Sequence, residues 1–255
     1  MYERITIRSQ REIDLIRASC RIVAEVLESA RGWARPGVTT GELDRRAEEL
    51  IRKRGAAPSF KGYLGYPATL CTSVNEEVVH GIPGDRVLEE GDVVGIDVGA
   101  FKNGYHGDAA RTYAIGAVPE STRLLLEAGA EALAQGIAAA RPGHYIGDIG
   151  HAVQRFAEAQ GYAVVRDLVG HGIGERMHEA PQVPNYGRAG TLAPIRAGMV
   201  LAIEPMLNAG GWQVETLEDR WTVVTADRSL SVHFENTVAV TEDGPVILTG
   251  FENGG

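Results

Sequence analysis

Gly91-Asp-Val-Val-Gly-Ile-Asp97-Val-Gly-Ala-Phe-Lys-Asn-Gly-Tyr105-His-Gly-Asp108-Ala-Ala-Arg111 is the stretch that decides how this chain is read. Val93, Val94, Ile96 and Val98 make an apolar, β-branched run that predicts a buried strand; a glycine-rich turn follows, and a second strand starts near Tyr105. Asp97 lies inside the first strand and Asp108 in the second. A carboxylate in a buried strand is costly unless it is paired, hydrogen-bonded or bound to a cation. A metal ion would solve that problem for both acids, and a salt bridge to Arg111 would solve it for one.

Upstream of this hairpin, Ser9 with Glu12 has the form of a capping box, and Ile13, Ile16, Cys20, Val23 and Leu27 then recur at helical spacing. A second capping pattern, Thr39 to Glu42, opens a helix with Leu43, Ala47, Leu50 and Ile51 on one face, closed by Arg52-Lys53-Arg54-Gly55. Short strand pieces are expected at 73–75 and 78–80. Helical composition returns at about 120–140 and 146–160, and strands alternate with turns from Tyr162 onward.

The second half echoes the first. Arg35-Pro36-Gly37, Gly41 and Leu43 match Arg141-Pro142-Gly143, Gly147 and Ile149, and Gly55 matches Gly161 at the same offset. His80-Gly81-Ile82 is echoed by His171-Gly172-Ile173, Gly91…Ile96-Asp97 by Gly198…Ile203-Glu204, and His106-x-Asp108 by His233-x-Glu235. The expected fold class is α+β: two helix-helix-strand halves, approximately 1–117 and 118–250, related by a pseudo-two-fold within a single catalytic domain, 1–255, without an extension domain. Such an axis converges Asp97, Asp108, Glu204 and Glu235 in one cleft, where mutual repulsion forces protonation or demands cations. Two divalent ions neutralise the four charges, as in a two-metal hydrolase. His171, after the strand-like Leu168-Val169, is the best nitrogen ligand, and oxygen-rich ligation with one imidazole suits Mn, Fe, Co or Zn.

With these motifs in view the chain resembles the type I methionine aminopeptidases over nearly its whole length. The matching segments are Gly65-Tyr66-Pro67, Cys71-Thr72-Ser73-Val74-Asn75-Glu76, His80-Gly81-Ile82-Pro83, Ile96-Asp97-Val98-Gly99, Gly107-Asp108-Ala109-Ala110-Arg111-Thr112, Gly170-His171-Gly172-Ile173-Gly174, His178-Glu179-Ala180-Pro181, Glu204-Pro205-Met206 and Phe234-Glu235-Asn236-Thr237. The resemblance implies the pita-bread fold, a curved antiparallel sheet between the two halves. It makes Asp97, Asp108, His171, Glu204 and Glu235 ligands of two divalent cations, with Asp108 and Glu235 bridging. It implies removal of the initiator methionine from nascent chains whose second residue is small. Glu204 is then the proton shuttle, His178 stabilises the oxyanion, and His80 contacts the scissile amide. Tyr63, Tyr66, Cys71 and Trp221 line the methionine pocket by position. Two departures from many relatives, Met177 before His178 and Phe60 ahead of Gly62-Tyr63, alter that pocket's shape and leave the metal chemistry untouched. Asn75 and Ser231 would hold a monovalent cation, as in some relatives.

Other residues have plainer readings. His106 and His233 are expected as surface residues or as partners of the ligands, His144 and His151 as solvated or cap residues, and Cys71 as pocket lining rather than nucleophile, since no histidine is patterned with it. The remaining alternatives are an X-Pro aminopeptidase or prolidase of the same fold, whose separate N-terminal domain has no room here, and a silent binding module, which would be free to lose ligands that this chain keeps.

The bulk properties agree. With 255 residues, 44% hydrophobic and 23% charged, the composition is that of an ordinary globular protein. A net charge of −9 argues against nucleic acid or an anionic membrane as partner. The N-terminus lacks a signal-peptide layout, no apolar run can cross a bilayer, and two cysteines are too few for a disulfide framework. The expectation is a cytoplasmic monomer acting on nascent N-termini, with at most transient ribosome association.

Overall fold

A computed structural model describes residues 4–250. Four helices carry the scaffold: α1 (Gln10–Trp33), α2 (Thr40–Lys53), α3 (Glu120–Ala139) and α4 (Ile146–Ala159). Ser9 and Glu12 close the expected reciprocal capping box on α1, whose predicted apolar face is buried throughout. On α2 only half of the box forms. Thr39 accepts the Glu42 N–H at 3.1 Å, while the Glu42 carboxylate turns to Arg46, one turn further on.

Strands Val93–Lys102 and Tyr105–Ala114 form the expected hairpin, in register from Val93↔Ala114 to Lys102↔Tyr105. The two residues between them, Asn103 and Gly104, have φ of 53° and 87°, the conformation of a tight primed turn. Val93–Lys102 also pairs with Leu70–Val74 and Ala57–Pro58. In the second half, Val200–Ile203 lies between Asn236–Thr241 and Gly170–Gly172, with Gly244–Ile247 and Glu179–Val183 at the edges. Each half has its own apolar core against its helix pair, and a third cluster, including Ile16 and Cys20 of α1 with Tyr105, Ile173 and Val200, joins the halves.

The backbone repeats the internal symmetry bond for bond. Gly37 N–H donates to Leu88 O and Gly143 N–H to Ile195 O; Gly41 N–H donates to Gly84 O and Gly147 N–H to Thr191 O. Gly37 and Gly143 have φ of 88° and 86°, which is why both turns carry glycine.

Two of the sequence echoes are nevertheless out of register. The incoming central strands correspond at an offset of 107, as in Gly91 and Gly198. Gly95 pairs with Ser73 and Ala202 with His171, so the first-half residue in the place of His171 is Ser73. His80 lies outside the strands with a φ of 61°. The outgoing strands correspond at 125, because Gly91 N–H donates to Ile115 O and Gly198 N–H to Val240 O, each at 2.8 Å. Asp108 therefore occupies the place of His233, and Glu235 the place of Ala110. The two-fold repeats the scaffold without repeating the acids one for one.

Helix α1 lies so close to the hairpin that a Cβ on Gly107 would sit 2.7 Å from Cys20 N and 2.8 Å from its Sγ. Gly107→Ala is expected to destabilise the protein by about 1–3 kcal/mol, the usual cost of overpacking. An unchanged urea midpoint would show that α1 can shift at no cost.

Candidate metal centre and adjoining pocket

Asp97 pairs with Ala110 and Asp108 with Gly99, which places both carboxylates on one face of the hairpin. Glu204 follows Val200–Ile203 directly, and Glu235 directly precedes Asn236–Thr241. Since Ile203 pairs with Asn236, the two glutamates meet where that ladder is interrupted, beside Pro205, which has no N–H to offer. The first-half hairpin runs unbroken past its acids; the second half stops at them.

Threonines lock the hairpins together. Thr237 Oγ1 donates to Asp108 O at 2.8 Å and accepts the Asp108 N–H at 3.1 Å; Thr112 Oγ1 does the same for His233 O and N–H, both at 2.9 Å. Glu235 N–H crosses to Ala110 O at 2.9 Å. Arg111 reaches Ala110 O, Glu235 O and Asn236 Oδ1, so the simple salt bridge from Asp97 or Asp108 to Arg111 is replaced by contacts that hold the backbone around Glu235.

His171 is central in Gly170–Gly172. A Cβ on either flanking glycine would lie 2.3 Å from a carbonyl oxygen, so only glycine lets the strands approach this closely. The His171 Nδ1 lies 2.9 Å from Gly172 O, an acceptor only, and must carry its proton there. Nε2 is left as a lone pair facing Asp108 Oδ2 at 3.9 Å and Glu204 Oε1 at 3.6 Å. Burial holds this imidazole neutral, with its pKa pushed down to about 3.

Ligand atoms of Asp108, His171 and Glu235 lie within 4.8 Å of one another. Asp97 lies against Asp108, and Glu204 flanks His171. Burial first, and the neighbouring acids after it, push Asp108 and Glu235 well above the carboxylate range. Burial raises Asp97 to about 7 and Glu204 to about 8. Asp97 Oδ1, Asp108 Oδ1 and Glu235 Oε1 are buried with no hydrogen-bond partner. Orphaned acceptors around a neutral imidazole nitrogen are what a divalent cation requires, and these residues fit one.

These shifts predict how the metal-free protein responds to pH. The folded state keeps protons on Asp97 and Glu204 that the unfolded chain has already lost above pH about 4. The histidines oppose this below pH about 6.5, because burial keeps His80, His171 and His233 neutral when folded. Above that the histidine contribution fades and the carboxyls dominate the difference between the two states, with the thiols of Cys20 and Cys71, which burial also raises, acting in the same direction. Stability of the metal-free protein is thus expected to fall as pH rises from about 6.5 to 8, by up to about 1.4 kcal/mol per pH unit for each carboxyl still protonated. Denaturant titration with chelator present checks this; a stability that rises over that window would contradict the buried-acid account.

A cavity of about 180 Å³ opens onto the cluster. Its lining comprises the five predicted ligands with His80 and His178, and an apolar cluster of Phe60, Tyr63, Tyr66, Cys71, Met177 and Trp221. Tyr66 is held by Leu70 O at 2.9 Å and Gly81 O at 3.0 Å, and its ring meets Trp221 edge-on. His178 packs on His171 with centroids 4.3 Å apart, and its Nδ1 is 2.8 Å from the Tyr63 hydroxyl. Burial pushes the His80 imidazole down to about 4.

The remaining predicted residues fall as follows. His106 bonds Ser59 Oγ at 2.9 Å and stacks on Phe101; His233 is buried with Nε2 3.6 Å from Glu204 Oε2; His144 and His151 are exposed. Asn75 O accepts the Ser231 N–H at 2.9 Å, but the Asn75 carboxamide is bound to Val93 N–H and Asp92, and the Ser231 hydroxyl donates to Asn208. Leu64, 80% exposed at the mouth of the cavity, was not singled out from the sequence; its signal is the pair of flanking glycines, Gly62 and Gly65, with φ of 89° and 91°.

Two helix-backed halves closing over buried carboxylates and one neutral imidazole define a metallohydrolase scaffold. Metallopeptidase family M24 matches residues 14–242, and the chain belongs to that family. It is 51% identical over 245 residues to the methionine aminopeptidase of Clostridium perfringens, covering 96% of this chain and 98% of that protein. The crystal structure of methionine aminopeptidase from Rickettsia prowazekii superposes with a TM-score of 0.96 at 41% identity, over 97% of this chain and 100% of that one. The prolidase of Pyrococcus horikoshii is more distant, with a TM-score of 0.78 and 26% identity over 97% of this chain but only 64% of its own. The fold is the pita-bread fold that the motifs implied.

Proposed function

We propose that this chain is a metal-dependent aminopeptidase that removes N-terminal methionine from nascent proteins whose second residue is small. The observation that carries this reading is the cavity itself: about 180 Å³, lined both by an apolar, partly sulfur-bearing cluster and by the acids and histidines of the centre. An unbranched thioether side chain fits such a lining.

In this reading Asp97, Asp108, His171, Glu204 and Glu235 would together hold two divalent cations of the Co, Mn, Fe or Zn type, with Asp108 and Glu235 the residues that both would share. The cations, when bound, neutralise the carboxylates and supply Lewis acidity and a nucleophile at neutral pH. Glu204 accepts a proton and returns it to the departing amine. The Tyr63 hydroxyl, donating to His178 Nδ1, leaves Nε2–H free to meet the developing oxyanion, while His80 contacts the scissile amide. Met177, Cys71, Tyr66 and Trp221 hold the methionine side chain. Asn75 and Ser231 remain the proposed monovalent-cation pair. We assign 1–255 as one catalytic unit, working as a monomer in the cytoplasm with transient ribosome contact; among the described residues no helix is long and apolar enough to cross a membrane.

The test is methionine release from Met-Ala-Ser and Met-Pro-Ser, compared with Ala-Pro-Ser, before and after chelation and with each metal restored. Release that stops on chelation and returns with metal is expected. Cleavage of Ala-Pro-Ser alone would move the chain to the proline-specific relatives, and no cleavage with metal bound would make it a binding module.

A further inference from the structure

The loop between Gly170–Gly172 and Glu179–Val183 carries both Met177 and His178, one a pocket wall and the other the proposed oxyanion donor. Its two ends are tied to a residue far away in sequence. Arg8 Nη2 meets both oxygens of Glu179 at 2.7 Å, and Glu179 Oε1 also accepts the Arg176 N–H at 3.0 Å. At the other end Gly174 lies against the same guanidinium, where a Cβ would come within 2.2 Å of Nη2, and Gly174 O accepts the His106 N–H at 2.8 Å. Arg8 is itself fixed by Glu12 at 3.2 Å, by its own N–H to Gly198 O at 2.8 Å, and by the face of Tyr105.

The side chains of Arg8 and Glu179 are only 5% and 7% exposed. A buried ion pair is a poor device for stability, since apolar residues of similar volume often do as well, but it is directional. We propose that Arg8 is a positioning residue of the active site: through Glu179 it sets the loop that places His178 and Met177. This rests on the function proposed above.

The experiment is a double-mutant cycle of Arg8→Met with His178→Ala, measuring kcat and KM for Met-Ala-Ser in the metal-loaded enzyme, together with the His178 imidazole NMR signals of the metal-free protein. Arg8→Met is expected to lower kcat roughly 10–100-fold, the scale of misplacing a catalytic group by about 1 Å. In the His178→Ala background the same change should lower kcat less than about 3-fold, because the group it places against the developing charge is already gone, and what remains through Met177 should appear in KM. Arg8→Lys should recover part of the loss. If Arg8→Met does not fold, Arg8→Lys and Glu179→Gln run the same cycle. Full losses that multiply in the double mutant, or a His178 ring signal unmoved by the Arg8 change, would overturn the proposal. A wild-type protein that releases no methionine sinks the proposed function instead, and the NMR arm still decides the placement of His178.

Discussion

Asp108→Asn and Glu235→Gln are each expected to abolish methionine release together with tight divalent-cation binding. The reason lies in what the side chains lack. Asp108 Oδ1 and Glu235 Oε1 are buried without a hydrogen-bond partner, and ligand atoms of Asp108, Glu235 and His171 lie within 4.8 Å of one another. An amide at either position removes a charge and turns N–H donors toward a space that calls for acceptors. Changing residues that merely orient ligands typically costs 10–100-fold in metal affinity or activity, so losing one of these proposed ligands should leave well under about 1% of turnover. The fold should survive. Asp108 is bonded to Thr237 through its backbone, and burial already disfavours its charge, so the metal-free Asn variant should unfold at or above the temperature of the metal-free wild type. Metal content after desalting, methionine release and thermal midpoint are measured together. A variant with two tightly held metals and full turnover would falsify the ligand assignment; lost activity with a collapsed midpoint would make the residues structural.

His178→Ala should behave differently: metals stay bound while kcat falls roughly 10²–10³-fold, the cost of losing one oxyanion donor. His178 is held by the Tyr63 hydroxyl and by the edge of the His171 ring, and it is itself too exposed to be needed for the core. KM should change little, because the donor acts on charge that develops in the transition state. Tyr63→Phe, which frees the ring without removing it, should show a smaller loss in the same direction. An unchanged kcat for His178→Ala would move the oxyanion role elsewhere, with His80 the next residue to test.

Much of this was written locally in the chain. Caps, helix faces and the hairpin follow from short-range patterns: Ser9 with Glu12, the spacing from Ile13 to Leu27, β-branched residues around Asp97. Acids placed in apolar strands announce a charge problem, and the motifs around them named its solution and the family. Met177 and Phe60 read as pocket residues, and both line the cavity.

Register and long-range pairing were not legible in this way. The echo of His80 in His171, and of Asp108 in Glu235, joined like residues that the fold places differently: His80 lies beyond Leu70–Val74, the strand that corresponds to that of His171, and the acids are displaced because the stretch between the incoming and outgoing strands is a two-residue turn in one half and a long excursion carrying Trp221 in the other. An unequal insertion shifts one offset to 107 and the other to 125, and residue identity alone cannot show which pairing the strands take. Arg8 reaches Glu179 across 171 positions, and His233 reaches Glu204 only because the sheets fold together. Sequence by itself determined the elements, the chemical types gathered at the centre and the family. Tertiary structure alone decided which of those groups touch, since hydrogen-bond register and side-chain burial belong to pairs of segments and to no single segment.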